Sequence, residues 1–129
     1  MKFNLQAIRK KNPKRALYLK KKLRIRKKIT GSNVRPRLCI FKSIKAIHVQ
    51  AINDKRGITL ASASSLSHKN KKNLNKLNNI EIARYIGKDI GKTLKNKKIK
   101  TIILDRNGFR YNGRIAALAN GARESGLIF

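Results

Sequence analysis

From Thr101 to Phe129 the chain reads TIILDRNGFRYNGRIAALANGARESGLIF, and this stretch decides the fold. Thr101-Ile102-Ile103-Leu104 is a short, largely β-branched apolar run bounded by turn signals, the pattern of a buried strand. Asn107-Gly108 predicts a tight turn after it, because Gly accepts positive φ without steric cost and Asn tolerates it. The turn displays Arg106, Phe109, Arg110, Tyr111 and Arg114, cations interleaved with two aromatics and no acid among them. Helical spacing begins at Asn112, where Ile115, Leu118, Ala119 and Ala122 fall at i, i+3, i+4 and i+7 to make one apolar face. Asn112 is the expected N-cap and Gly126 the expected C-terminal stop. A buried strand thus delivers a basic, aromatic loop, and a helix packs back to hold it. Such a unit presents side chains outward; it is not built like a catalytic pocket.

Upstream, the spacing predicts a helix from about Ile80 to Lys95, capped by Asn79, with Ala83, Ile86, Ile90 and Leu94 as its buried stripe. Gly87 and Gly91 each cost ~1 kcal/mol there relative to Ala, so they are expected to permit a close helix–sheet approach. Residues 65–79 read as a polar, Lys- and Asn-rich connector. Before it come three strands: Leu38-Cys39-Ile40-Phe41, an alternating run from Ala46 to Ile52, and Ile58 to Ser64. In the second, Ile47, Val49 and Ala51 point one way while His48 and Gln50 point the other. Short turns at Lys42–Lys45 and Asn53–Gly57 make these an antiparallel meander, and the later strand–helix–strand crossover makes the last strand parallel to a neighbour. The fold class is therefore α/β of the α+β kind. It is a mixed sheet, a three-stranded antiparallel meander plus one parallel strand, with two packed helices.

A basic arm precedes the sheet. Residues 1–37 hold no acid, and Lys or Arg recurs at nearly every second position from Lys10 to Lys28. Pro13 divides the arm, and Ala16, Leu19 and Leu23 line a weak helical face after it. Like charges three and four residues apart repel, so the arm is expected to be mostly unfolded alone and helical when bound to RNA. Two parts follow: residues 1–34 as a basic N-terminal RNA-binding arm, and residues 35–129 as a globular α/β RNA-binding domain.

Lys plus Arg number 34 against 5 Asp plus Glu, a formal net charge of +29. Charge of that size repels itself in a free globular protein, and a polyanionic partner relieves it. Nucleic acid fits best, since every cation placed on a phosphate releases a condensed counterion. An anionic membrane fits less well, because no long helix with a broad apolar face is present. Cys39 is the single cysteine, so no intrachain disulfide can form and a reducing compartment is expected. The chain has no apolar run of transmembrane length, no signal-peptide core and almost no Ser before Ser32, so the cytosol is expected rather than export or organelle import.

Catalytic readings fail on residue supply. A ribonuclease-H-type nuclease needs carboxylates gathered around metal ions, yet the only acids are Asp54, Glu81, Asp89, Asp105 and Glu124, none in the first strand. Asp105 is expected to anchor its own turn or pair with a nearby Arg. One Cys and two distant His cannot build a zinc site. Ser62, Ser64 and Ser65 lack the G-x-S-x-G turn, and no Gly-rich phosphate loop is present. Gly87-x-x-x-Gly91 has a membrane-dimer spacing, but Lys88 and Asp89 inside it remove that reading. No catalytic residue, metal, cofactor or small-molecule substrate is expected.

Arg35-Pro36-Arg37-Leu38, Phe41-Lys42-Ser43, GITLASAS from Gly57 to Ser64 and DRNGFRYNGRIAALANGARESGL from Asp105 together resemble the bacterial L-eighteen proteins of the large ribosomal subunit. The resemblance covers roughly residues 31–129, with the arm agreeing in character. It implies a ribonuclease-H-like arrangement and no enzymatic activity. It implies binding of 5S rRNA, its attachment to 23S rRNA in the central protuberance, and neighbouring large-subunit proteins as partners, in the ribosome of the cytoplasm or an organelle. The RNA-facing residues it implies are Arg9, Lys10, Lys14, Arg15, Lys20, Lys21, Arg24, Arg26 and Lys27 of the arm. With them come Arg35 and Arg37 at the first strand, Lys42, Ser43 and Lys45 in the first turn, and Arg106, Tyr111 and Arg114 in the loop. Three positions depart from the family: His48 stands where Tyr is common, Asn112 where His is common, and Lys98 near where Gly is frequent, so the exit from the first helix is expected to differ. Beside this stand a histone-like compacting protein and an RNA-processing enzyme. The shaped loop argues against the first, and the missing carboxylates against the second.

Overall fold

The computed structural model describes residues 4–67, 74 and 77–129; most of the expected polar connector, at 68–73 and 75–76, lies outside them. In chain order the elements are α1 (Leu5–Lys11), α2 (Pro13–Lys28), β1 (Arg37–Lys42), β2 (Ile47–Asn53), β3 (Ile58–Ser64), α3 (Asn79–Asn96), β4 (Ile103–Asp105) and α4 (Gly113–Glu124). The sheet order is β3-β2-β1-β4. The three meander strands pair antiparallel and β4 lies parallel to β1, as the crossover requires.

Period-two alternation gives the sheet two unlike faces. Leu38 and Ile40 of β1 and Ile47, Val49 and Ala51 of β2 are buried against the stripes of α3 and α4 in one core cluster. Each fully buried Leu or Ile contributes roughly 2 kcal/mol, so this face carries most of the stability. The opposite face holds Arg37, Cys39 and Phe41 opposite Ile52, Gln50 and His48, with Ser62 and Ser64 beyond and Ile103 and Asp105 beside. Cys39 thus lies outside the apolar core to which an apolar run would assign it, under Arg37 and Asp105 on the other face, and burial pushes its thiol pKa up.

Local chemistry explains the boundaries and corrects three expectations. The cap of α3 is Asn78, not Asn79. Its side chain accepts from the Glu81 amide at 2.9 Å and the Glu81 carboxylate accepts from its amide at 3.2 Å, a capping box that only Asn78, three residues before Glu81, can form. Asn112 occupies the N-cap of α4 but makes no side-chain cap; its carbonyl accepts from Ile115 at 3.1 Å instead. Gly87 and Gly91 do permit a close approach, to α4 and not to the sheet. A methyl on Gly87 would stand 2.1 Å from the Leu118 carbonyl oxygen, and one on Gly121 would stand 2.2 Å from that of Arg84. β4 is shorter than its apolar run, because Thr101 bridges to Ile128 before the pairing with β1 begins at Ile103.

α2 extends from the loop end of the β1–β4 pair to its opposite end. Tyr18 packs its ring 5.5 Å from that of Phe109, and Arg26 reaches Asp54 at 3.5 Å. On either side of Tyr18, Ala16 and Leu19 are buried. Caps set its start and that of α1: Asn4 and Asn12 each accept from the amide three residues on, and Pro13 opens α2 where its missing N–H has no intrahelical partner to lose.

Candidate nucleic-acid interface

Asp105 builds the loop. One carboxylate oxygen accepts the Asn107 amide at 2.9 Å and the other accepts Arg37 Nη1 at 2.6 Å. Both expected roles of this acid are therefore real at once. The turn it starts places Asn107 at φ 55° and Gly108 at φ 82°. Arg106 then closes the loop by donating to the Phe109 carbonyl at 2.7 Å.

Beneath the loop lies an aromatic cluster. Phe109 packs between Tyr18 at 5.5 Å and Phe41 at 6.3 Å, with Lys42 Nζ 5.4 Å from its centroid. Phe109 is thus the apolar anchor of the loop, half-buried against the core, while Tyr111 stays 46% exposed. The Tyr111 hydroxyl accepts from Arg123 Nη1 at 2.9 Å, and the same guanidinium lies 4.2 Å over Phe129. Arg114 crosses to the first turn and donates to the Ser43 carbonyl at 2.7 Å.

One end of the sheet therefore gathers Lys42, Ser43, Lys45, Arg106, Tyr111 and Arg114. The Ser43 hydroxyl is engaged inside its own turn, where it accepts from the Ala46 amide at 3.2 Å. Arg9, Lys10, Lys14, Arg15, Lys20, Arg24, Arg26 and Lys27 are exposed along α1 and α2, and Lys21 is half-exposed. Arg35 is exposed too, but it precedes β1 and so sits at the opposite end of the sheet.

Arg37 is a correction. Its side chain is buried, donating to Asp54 at 3.0 Å through Nε and again at 3.0 Å through Nη2, and to Asp105 through Nη1. With its fork filled by two carboxylates it has no face for a phosphate. Asp54 also accepts the Gly31 amide at 2.7 Å, so one buried arginine ties the end of the arm to the start of the loop. Sequence reasoning gave Arg37 to RNA and left Asp54 without a role, although Asp54 is the sole acid before Glu81 and that isolation marks it. The sequence offers no comparable signal for Tyr18, a single aromatic within the basic arm, and it places Phe41 only within the first strand. His48 bonds Ser64 Oγ through Nδ1 at 2.8 Å, 6.1 Å ring to ring from Phe41.

A family model described as ribosomal L18 of archaea, bacteria, mitochondria and chloroplast matches residues 11–129. The chain belongs to this family. It is 51% identical over 111 residues to the large ribosomal subunit protein uL18 of Pelobacter propionicus, covering 86% of this chain and 91% of that one. It is 47% identical over 120 residues to the uL18 of Thermotoga petrophila, covering 93% and 98%. Membership makes it a structural protein of the large ribosomal subunit, working in the ribosome with rRNA and other ribosomal proteins as its partners, and not an enzyme. Among the described residues no group of three or more His, Cys, Asp or Glu is placed to hold a metal, and no helix is long and apolar enough to cross a membrane.

Proposed function

We propose that this protein binds 5S rRNA through the loop end of its sheet and its basic arm, and so attaches that RNA to 23S rRNA in the central protuberance. The observation that supports the reading is the loop: Arg106 donates to the Phe109 carbonyl, Arg114 reaches the Ser43 carbonyl of the turn that also holds Lys45, Lys42 lies over Phe109, and Tyr111 is exposed beside them in the chain. The nearest acid, Asp105, faces inward onto Arg37. Arg106 and Arg114 meet phosphates, and Tyr111 offers a ring for stacking. The arm, residues 1–34, adds Arg9, Lys10, Lys14, Arg15, Lys20, Lys21, Arg24, Arg26 and Lys27. RNA phosphates relieve the repulsion among them and hold the arm helical. Arg35 adds to the RNA contacts from the start of β1.

Binding to 5S rRNA at about physiological salt with excess transfer RNA tests this reading. Affinity that survives the competitor is the expected result. Affinity erased by the competitor would mean that charge alone attracts, which is the behaviour of a compacting protein.

A further inference from the structure

Of the two aromatics in the loop, Phe109 is packed against the core and Tyr111 is not. The Asn112 amide donates to the Arg110 carbonyl at 2.9 Å, so Tyr111 stands at the apex of a three-residue turn just before α4. Such a turn fixes the backbone and leaves the side chain free to rotate about its own bonds. Phe109 is held between the rings of Tyr18 and Phe41. Among the described residues no aromatic ring packs on Tyr111 in that way, and it is largely open to solvent.

Arg123, on the last turn of α4, is what reaches it. Arg123 Nη1 donates to the Tyr111 hydroxyl at 2.9 Å, and Nε donates to the Phe129 carbonyl at 3.4 Å. The same guanidinium lies 4.2 Å from the centroid of the Phe129 ring, and Phe129 packs against the core cluster. A planar fork can stack on one ring and donate along its edges at once, which an ammonium cannot do. Among the described residues no carboxylate pairs with Arg123, and its neighbour Glu124 is engaged by Arg84 and Lys88. A continuous set of contacts therefore runs from the core through Phe129 and Arg123 to the hydroxyl of Tyr111.

We infer that Arg123 and Phe129 are positioning residues of the RNA-binding loop, which hold the Tyr111 ring in one orientation for a base to stack on. The inference rests on the reading above that Tyr111 meets RNA, and it names what makes that contact effective. Stacking on a splayed base uses the flat face of an aromatic side chain. A ring that turns freely loses that freedom when the base arrives, and a ring fixed beforehand does not. The difference is about two- to tenfold in affinity for one side chain. Neither Arg123 nor Phe129 has to touch RNA to have this effect.

The test titrates 5S rRNA with the full chain at several salt concentrations, with transfer RNA as competitor. The variants are Arg123→Lys, Arg123→Gln, Tyr111→Phe, Phe129→Leu and the pair Arg123→Lys with Tyr111→Phe. Each single variant is expected to lose about two- to tenfold in affinity with its salt slope unchanged, and the pair no more than the more affected of its two singles. Arg123→Lys at the affinity of the parent would overturn the inference, as would losses that add in the pair. A slope shallower by about one phosphate in Arg123→Gln would also overturn it, because the guanidinium would then be on the RNA itself. Proton couplings across the Tyr111 Cα–Cβ bond give a second reading in the free protein. One rotamer is expected in the parent and averaging among several in Arg123→Lys and Phe129→Leu. Averaging already in the parent, or one rotamer kept in both variants, would sink the idea. If the parent itself loses 5S rRNA to the competitor, the proposed function falls alone, and the couplings still decide whether Arg123 and Phe129 hold the ring.

Discussion

Arg37 Nη1 lies 2.6 Å from Asp105 Oδ2, and the acid is 1% exposed. This pair joins the start of β1 to the start of the loop that carries Arg106 and Tyr111. Removing one partner of a buried ion pair strands the other charge, so Arg37→Ala should cost about 3–5 kcal/mol. Replacing Arg37 by Met together with Asp105→Leu should cost less than Arg37→Ala, because the fully buried Asp105 charge is no longer stranded and Asp54 keeps the Gly31 amide and Arg26. Urea unfolding of the variants checks both; a double variant no better than the single would show that the loop geometry, not the charge, is what the pair secures.

Asp54 gives the fold a pH signature. Its carboxyl is held down to about 2 from an ordinary 3.8, chiefly by the hydrogen bond from Arg37 and against the opposing effect of burial. Because the folded pKa is depressed, its contribution is complete above about pH 4 and disappears as pH falls through about 2. Asp54→Asn should therefore be less stable than the parent near neutrality and converge with it near pH 2. Unfolding midpoints followed from neutrality to acid read this directly, and a constant gap would remove the linkage.

Ordinarily an Ala for Gly exchange inside a helix stabilises by about 1 kcal/mol. At Gly87 and Gly121 the sign should reverse, since a methyl group would overlap a facing carbonyl oxygen. A loss of about 1–3 kcal/mol for each exchange is expected from overpacking. Thermal melts of Gly87→Ala and Gly121→Ala decide it; a raised midpoint would mean that α3 and α4 can separate at no cost.

Tyr18 is the seat of the arm. Its ring meets Phe109 and the backbone of Gly108, and burial raises its hydroxyl pKa. Tyr18→Ala should release α2 while the α3–α4 core keeps its stability. Hydrogen exchange should then accelerate across Pro13–Lys28 and stay unchanged in α3. Unchanged exchange in α2 would place the docking energy elsewhere, on Ala16 and Leu19.

In the loop, Arg114→Ala should weaken 5S rRNA binding about tenfold, equivalent to about 1.4 kcal/mol, without unfolding the domain. Arg106→Ala should do at least as much, because Arg106 also closes the loop onto the Phe109 carbonyl. Titrations at several salt concentrations check the pair, and affinity intact in both would take the loop off the interface.

The sequence by itself determined the element order, the parallel last strand and the core. Local patterns carry these: Leu38 and Ile40 alternate with polar-face neighbours, Ile86 and Ile90 recur at helical spacing, and Asn107-Gly108 can only be a turn. It also determined the partner's chemistry, because a charge of +29 needs a polyanion. The tertiary structure alone decided which cations remain free to meet that partner. Arg37 looks like its neighbour Arg35 in the sequence, yet one is buried between two carboxylates and the other is open to solvent. That difference arises from residues 17 and 68 positions away, Asp54 and Asp105, which only the parallel pairing of β4 with β1 and the meander turn bring to one place. The same holds for Gly87, whose partner is α4 and not the sheet. Spacing along a chain reports which face a residue takes; what stands opposite that face is a matter of long-range packing.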